Sequence, residues 1–173
     1  MRITMRAGAN RDGTLNVLDM SVLSNTGAYG EHALTAFMVV GSKALPLYNK
    51  VKAVHFGGHA VYTNKISAGA FRGYGAIQGN FALESTIDEL AHSLGMDPIA
   101  FREKNMIREG EKSDVFRIMG EGGEGIDAPI DSCKLQYCID RGKELIGWNH
   151  ERLSWQSAPG KISAHGMALA MKR

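Results

Sequence analysis

Phe71-Arg72-Gly73-Tyr74-Gly75 is the stretch of this chain whose residue types and spacing are best suited to chemistry. It stands just before a helical pattern, and helix N-termini with unhindered backbone N–H groups favour anions and oxo ligands. Arg72 adds a planar fork of N–H donors. Tyr74, set between two glycines, is free to present its ring face to a flat ligand. The plainer reading is a tight turn into a helix, because isolated glycine motifs recur by chance. No third glycine follows at dinucleotide spacing, where Gln78 stands, and no phosphate loop of the GxxxxGK[ST] type occurs.

Other reactive side chains form weaker patterns. The histidines are His32, His55, His59, His92, His150 and His165. His55 and His59 flank Gly57-Gly58, which argues against a helical zinc pair. Glu84 and Asp88 share a helix face and read as a solvated pair of carboxylates. Cys133 and Cys138 are expected on one helix, at a spacing that suits neither a disulfide nor a CxxC redox pair. Reduced thiols fit a cytoplasmic protein.

Composition narrows the classes. The chain has 173 residues, 44% hydrophobic and 22% charged, close to a soluble globular domain. A net charge of +2 gives no large electrostatic term for a phosphate backbone, so nucleic acid is not an expected partner. No apolar run is long enough to span a bilayer, and Met1 to Arg6 lacks a signal peptide's apolar core. Glycine, at 21 residues, exceeds the average of roughly 7%. Four glycines fall between Gly69 and Gly79, and a second cluster runs from Gly120 to Gly125.

These candidates need elements to position them. Ile3–Ala7 and Leu15–Leu23 read as a hairpin closed by Arg11-Asp12-Gly13. Ser24–Gly30 leaves the second strand for a loop. Ala33–Val40 is apolar and ends before Pro46. Val51–Thr63 reads as extended, with a bend at Gly57-Gly58. Leu83, Ile87, Leu90, Ala91 and Leu94 mark an amphipathic helix closed by Gly95. Asp97-Pro98 opens another helix, to about Met106. Glu109–Ala128 reads as a surface loop. A third helix, capped by Asp131 or Ser132, would turn Leu135, Cys138, Ile139, Leu145 and Ile146 inward and stop at Gly147. Pro159-Gly160 marks a turn before a strand from Ile162 to Met171.

Ala68-Gly69-Ala70-Phe71-Arg72-Gly73-Tyr74-Gly75-Ala76-Ile77-Gln78-Gly79 resembles the AFRG(F/Y)G..Q signature of the molybdenum-binding large subunit of the xanthine dehydrogenase and aldehyde oxidase family. Phe81–Ala91 resembles that family's following helix, and Gly95–Arg102 with Lys104-Asn105-Met106-Ile107 its next segment. Asn25-Thr26-Gly27-Ala28-Tyr29 and Gly166–Met171 are similar to further family stretches. The likeness covers nearly the whole chain and leans to the purine-hydroxylase branch.

The resemblance implies an α+β fold, a mixed sheet with packed helices. Residues 1–160 would be the later part of a first cofactor-binding domain, and 161–173 the first strand of a second. It implies a molybdenum–molybdopterin cofactor, with a cytosine dinucleotide form as one option. Phe71, Arg72 and Gly73 would lie against that cofactor, Arg72 near the molybdenum but not as a side-chain ligand. Tyr74 would stack on the substrate, its hydroxyl needing a partner. Lys43, the only cation between Val39 and Pro46, would orient the substrate, as a point charge where purine hydroxylases often use an arginine.

The implied reaction hydroxylates a planar N-heterocycle such as xanthine or hypoxanthine with oxygen from water. Partner subunits or domains would carry iron–sulfur clusters and FAD in a hetero-oligomer. The family's glutamate base has no matching position here, so the chain is expected to be a piece of a longer subunit and inactive alone. Aldehyde, nicotinate or aryl-CoA oxidoreductases of the same family are the alternative, and a non-catalytic binding or assembly module is a second.

Overall fold

A computed structural model describes residues 1–120 and 124–171. Gly122 and Gly123, in the second glycine cluster, and the terminal Lys172-Arg173 lie outside the described residues. β1 (Arg2–Ala9) and β2 (Leu15–Gly27) pair antiparallel, with Met5 opposite Met20 and Ala7 opposite Leu18. The turn between them places Gly13 at φ +83, and the Asp12 carboxylate accepts from the Thr14 N–H at 3.0 Å. Alternation along β2 buries Leu18, Met20 and Val22 and leaves Val17 and Leu23 on the outer face.

The chain leaves β2 through α1 (Ala33–Ala44) and a short buried turn, Leu45–Tyr48. It re-enters the sheet as β3 (Ala53–Tyr62), parallel to β2, so the sheet is mixed with β2 in the middle. A helical crossover is what a parallel connection requires. α2 (Ala76–Ser93) buries Gly79, Leu83, Ile87 and Ala91 along one stripe. It closes through Gly95 at φ +66, with the Met96 N–H on the Ala91 carbonyl and the Gly95 N–H on His92.

α3 (Pro98–Asn105) starts as its sequence expects, with Asp97 accepting from the Ile99 N–H at 3.1 Å. Asn105 then fastens the start of β2. Its Oδ1 accepts from the Leu15 N–H at 2.9 Å, and its amide donates to the Gly13 and Phe101 carbonyls, both at 2.8 Å. α1, α2 and the inner faces of β1 and β2 enclose the main core. No described helix is long and apolar enough to cross a membrane.

The structure corrects several expectations. Glu84 is not a solvated carboxylate but is 4% exposed, because Tyr48, Arg102 and the Leu169 N–H all donate to it. The 109–128 stretch is not all loop: α4 (Asp114–Ile118) forms there and buries Val115 and Phe116. α5 (Leu135–Ile146) begins after Lys134 rather than after Asp131 or Ser132, so Cys133 precedes it and only Cys138 is helical. Of its expected inner face only Ile139 is buried, while Leu145 is 67% exposed, since no described element covers that side. β4 (Ser154–Ala158) and β5 (Lys161–Ala164) form a hairpin around Pro159-Gly160. The strand therefore ends at Ala164 rather than Met171, and Leu169 packs into the core without a strand partner.

Candidate functional site

The site is the loop between β3 and α2. Its first half is latched to the end of β2. The Thr63 N–H donates to the Gly27 carbonyl at 3.1 Å, the Ala28 N–H to Lys65 at 3.1 Å, and the Ala68 N–H to Thr26 at 2.9 Å. Side chains reinforce this seam: Asn25 Oδ1 accepts from both the Gly27 N–H and the Thr63 hydroxyl, each at 2.8 Å. The small, polar Asn25-Thr26-Gly27-Ala28 stretch is thus a platform that holds one side of the loop.

The second half is bound differently. The N–H groups of Gly69, Ala70, Phe71, Arg72 and Gly73 have no acceptor among the described residues. All five residues are exposed, so these donors face solvent and stand available to a ligand. After them the chain tightens into α2, the Tyr74 N–H bonding to Phe71 at 2.7 Å and the Ala76 N–H to Gly73 at 2.8 Å. Gly73, Tyr74 and Gly75 take φ of +93, +46 and +97 in succession. Only glycine does this without strain, and Tyr74 is held there by its flanking glycines.

Gly75 has a second reason to lack a side chain. A Cβ there would lie 2.1 Å from the Ala36 carbonyl of α1, and one at Gly79 would lie 2.2 Å from the Val40 carbonyl. The glycine cluster therefore divides. Gly75 and Gly79 let α1 and α2 backbones touch, while Gly69 faces open space.

Phe71 is 84% exposed, and the exposed Arg72 has no hydrogen bond or ion pair among the described residues. Tyr74 is half-buried, and its hydroxyl lies 2.9 Å from His32 Nδ1. That supplies the partner its hydroxyl needed. His32 was not singled out by any motif, since its partner is 42 residues away. Its only sequence signal is its place just before the apolar run that becomes α1.

The structure brings Phe71, Arg72, Gly73 and Tyr74 together but leaves Lys43 apart. Lys43 sits in the last turn of α1, while His32, beside Tyr74, precedes the first. At about 1.5 Å per residue the two are roughly 16 Å apart along the helix. Lys43 instead lines a hollow with Ser42, Phe116, Met119 and Glu124. Among the described residues no group of three or more His, Cys, Asp or Glu could hold a metal ion.

Residues 1–106 match the molybdopterin cofactor-binding domain family. The xanthine dehydrogenase molybdenum-binding subunit of Escherichia coli O157:H7 is 39% identical over 155 residues, covering 90% of this chain and 19% of that subunit. The aldehyde oxidoreductase of Megalodesulfovibrio gigas is 35% identical over 137 residues, covering 78% of this chain and 15% of that protein. In structure, the aldehyde oxidoreductase from Desulfovibrio desulfuricans superposes with a TM-score of 0.68 at 28% identity, over 87% of this chain and 15% of that one. The chain thus spans about a fifth or less of the length of these relatives. With the family match extending over most of its length, through β1–β3 and the loop that carries Phe71 to Gly75, this chain belongs to the molybdopterin cofactor-binding domain family.

Proposed function

We propose that this chain supplies one wall of the molybdenum–pterin centre of a xanthine dehydrogenase-like oxidoreductase, which hydroxylates a planar N-heterocycle such as xanthine or hypoxanthine. The observation that carries the reading is the run of free N–H groups from Gly69 to Gly73 with an unpartnered Arg72 inside it. These residues fit an anionic, oxygen-rich group: consecutive exposed backbone donors include two glycines without side-chain bulk, Gly69 and Gly73, and the Arg72 guanidinium belongs to the same run. When bound, the cofactor supplies oxygen transfer from water and takes up the electrons released.

The chain's own residues bind and orient. Phe71 and Arg72 offer backbone N–H groups and Gly73 keeps the approach open. Tyr74 presents a ring face on which a flat heterocycle stacks. Partner domains or subunits carry the iron–sulfur clusters and FAD, and the pterin takes either its simple or its cytosine dinucleotide form. The two free thiols, Cys133 and Cys138, suit a cytoplasmic setting. We read residues 1–160 as belonging to one cofactor-binding domain and 161–173 as the entry to another.

Hydroxylation of xanthine in oxygen-18 water by the holoenzyme assembled with this chain tests the reading. Label in the product is expected, with no turnover by the 173-residue chain alone. A holoenzyme inactive on xanthine and hypoxanthine would overturn the purine assignment. Oxidation of benzaldehyde instead would establish the second reading, an aldehyde oxidoreductase. That reading is favoured by the 35% identical aldehyde oxidoreductase and by the lack of an arginine between Val39 and Pro46.

A further inference from the structure

We infer that His32 is a positioning residue for the Tyr74 ring, and that the pair sets how tightly a planar heterocycle is held. The inference rests on the reading that Tyr74 stacks on substrate. Three observations carry it. First, Tyr74 stands between Gly73 and Gly75, so neither chain neighbour has a side chain to hold the ring. The hydroxyl contact to His32 Nδ1 at 2.9 Å does so, together with an edge-on ring contact at 6.1 Å and 66°.

Second, His32 occupies the N-cap position of α1, yet its side chain makes no capping hydrogen bond. The imidazole is committed to Tyr74 rather than to its own helix. Third, the two partners ride on helices locked at backbone contact. Gly75 and Gly79 of the α2 segment lie against the Ala36 and Val40 carbonyls of α1, so the spacing between His32 and Tyr74 is fixed by the scaffold. A phenylalanine at this position could pivot about its Cα, whereas a tyrosine tethered at its far end cannot. A pre-oriented ring stacks on substrate without first losing rotational freedom.

The test is a double-mutant cycle in the holoenzyme with xanthine as substrate, paired with nitrogen-15 NMR of the His32 ring in the histidine-labelled holoenzyme. His32→Ala and Tyr74→Phe are each expected to lower kcat/KM about fivefold, mostly through KM, the equivalent of about 1 kcal/mol. The double variant should lose no more than either alone, and His32→Asn should recover part of the loss. In the NMR spectrum, Tyr74→Phe should shift the Nδ1 resonance of His32. Multiplicative losses near 25-fold (the product of two fivefold effects, about 2 kcal/mol), or an unmoved Nδ1 resonance, would overturn the positioning role and leave the function standing. A wild-type holoenzyme without turnover of xanthine or hypoxanthine would instead overturn the underlying reading, and this inference with it.

Discussion

Arg102 and Glu84 meet inside the core, where the guanidinium Nε donates to the carboxylate Oε2 at 2.8 Å from a side chain with no exposure. The same carboxylate accepts from the Tyr48 hydroxyl at 2.5 Å and from the Leu169 N–H at 2.7 Å. One residue of α2 therefore ties together α3, the turn after α1 and the C-terminal segment. Burial opposes the charge on Arg102, but Glu84, Tyr48 and Asp88 together outweigh it and hold the guanidinium pKa up. Burial and the same carboxylate push the Tyr48 hydroxyl well above its ordinary value, so it stays a donor.

Removing one partner of such a pair strands the other. Arg102→Met is expected to cost about 3–5 kcal/mol in urea unfolding, because Glu84 keeps its buried charge without a cation. Replacing both, as Arg102→Met with Glu84→Leu, should recover much of that loss. A double variant no more stable than Arg102→Met would show that Tyr48 and Leu169 depend on Glu84 more than Arg102 does.

The glycine cluster predicts a contrast. Gly75→Ala and Gly79→Ala drive a Cβ into α1 backbone and should each lower stability by more than about 1 kcal/mol. Gly69→Ala meets nothing within 4 Å and should leave the melting temperature unchanged. Thermal scans of the three variants check this.

Arg72 predicts a loss of ligand without a loss of fold. Its side chain has no described partner to give up, so Arg72→Gln should melt as the wild type does. Molybdenum–pterin affinity should fall roughly tenfold or more, the scale of a hydrogen bond to a charged group. Metal and pterin content after dialysis measures it.

Glu111 gives an acid-sensitive joint. Burial pushes its carboxyl up, but bonds from Asn49 and the Arg108 N–H, with Lys50 nearby, outweigh this and hold its pKa below the ordinary value. The folded value lies under the unfolded one, of about 4.3. Its contribution is therefore present above that pH and is lost as pH falls through the folded value. Melting temperature between pH 6 and pH 3 (a window about the ordinary carboxylate range) should drop more for wild type than for Glu111→Gln.

Local signals were legible in the chain and distant ones were not. The β1–β2 hairpin, the α2 stripe with its Gly95 stop, and the Asp97-Pro98 start all depend on near neighbours and form as their residues indicate, except that β2 runs on to Gly27 past its expected end at Leu23, because Ser24 and Asn25 pair with β3. Glu84 was misread because its partners stand 18, 36 and 85 residues away. Its spacing before Ile87 and Ala91 on the buried side of α2 was the available hint. α5 misled in the other direction, since amphipathic periodicity does not say whether anything covers the apolar side. At the site, Phe71 to Tyr74 could be read together because they are contiguous. The His32 contact and the division of the glycines between helix packing and an open loop needed the fold.

The loop from Gly69 to Gly73 is the segment proposed to receive the cofactor. Amide hydrogen exchange of the holoenzyme, compared before and after the molybdenum–pterin cofactor is stripped, tests it most directly. Protection of the Gly69–Gly73 amides is expected to disappear on stripping, while the bonded Ala28, Thr63 and Ala68 amides of the seam exchange equally in both. Unchanged exchange at Gly69–Gly73, with protection moving elsewhere in the chain, would contradict it.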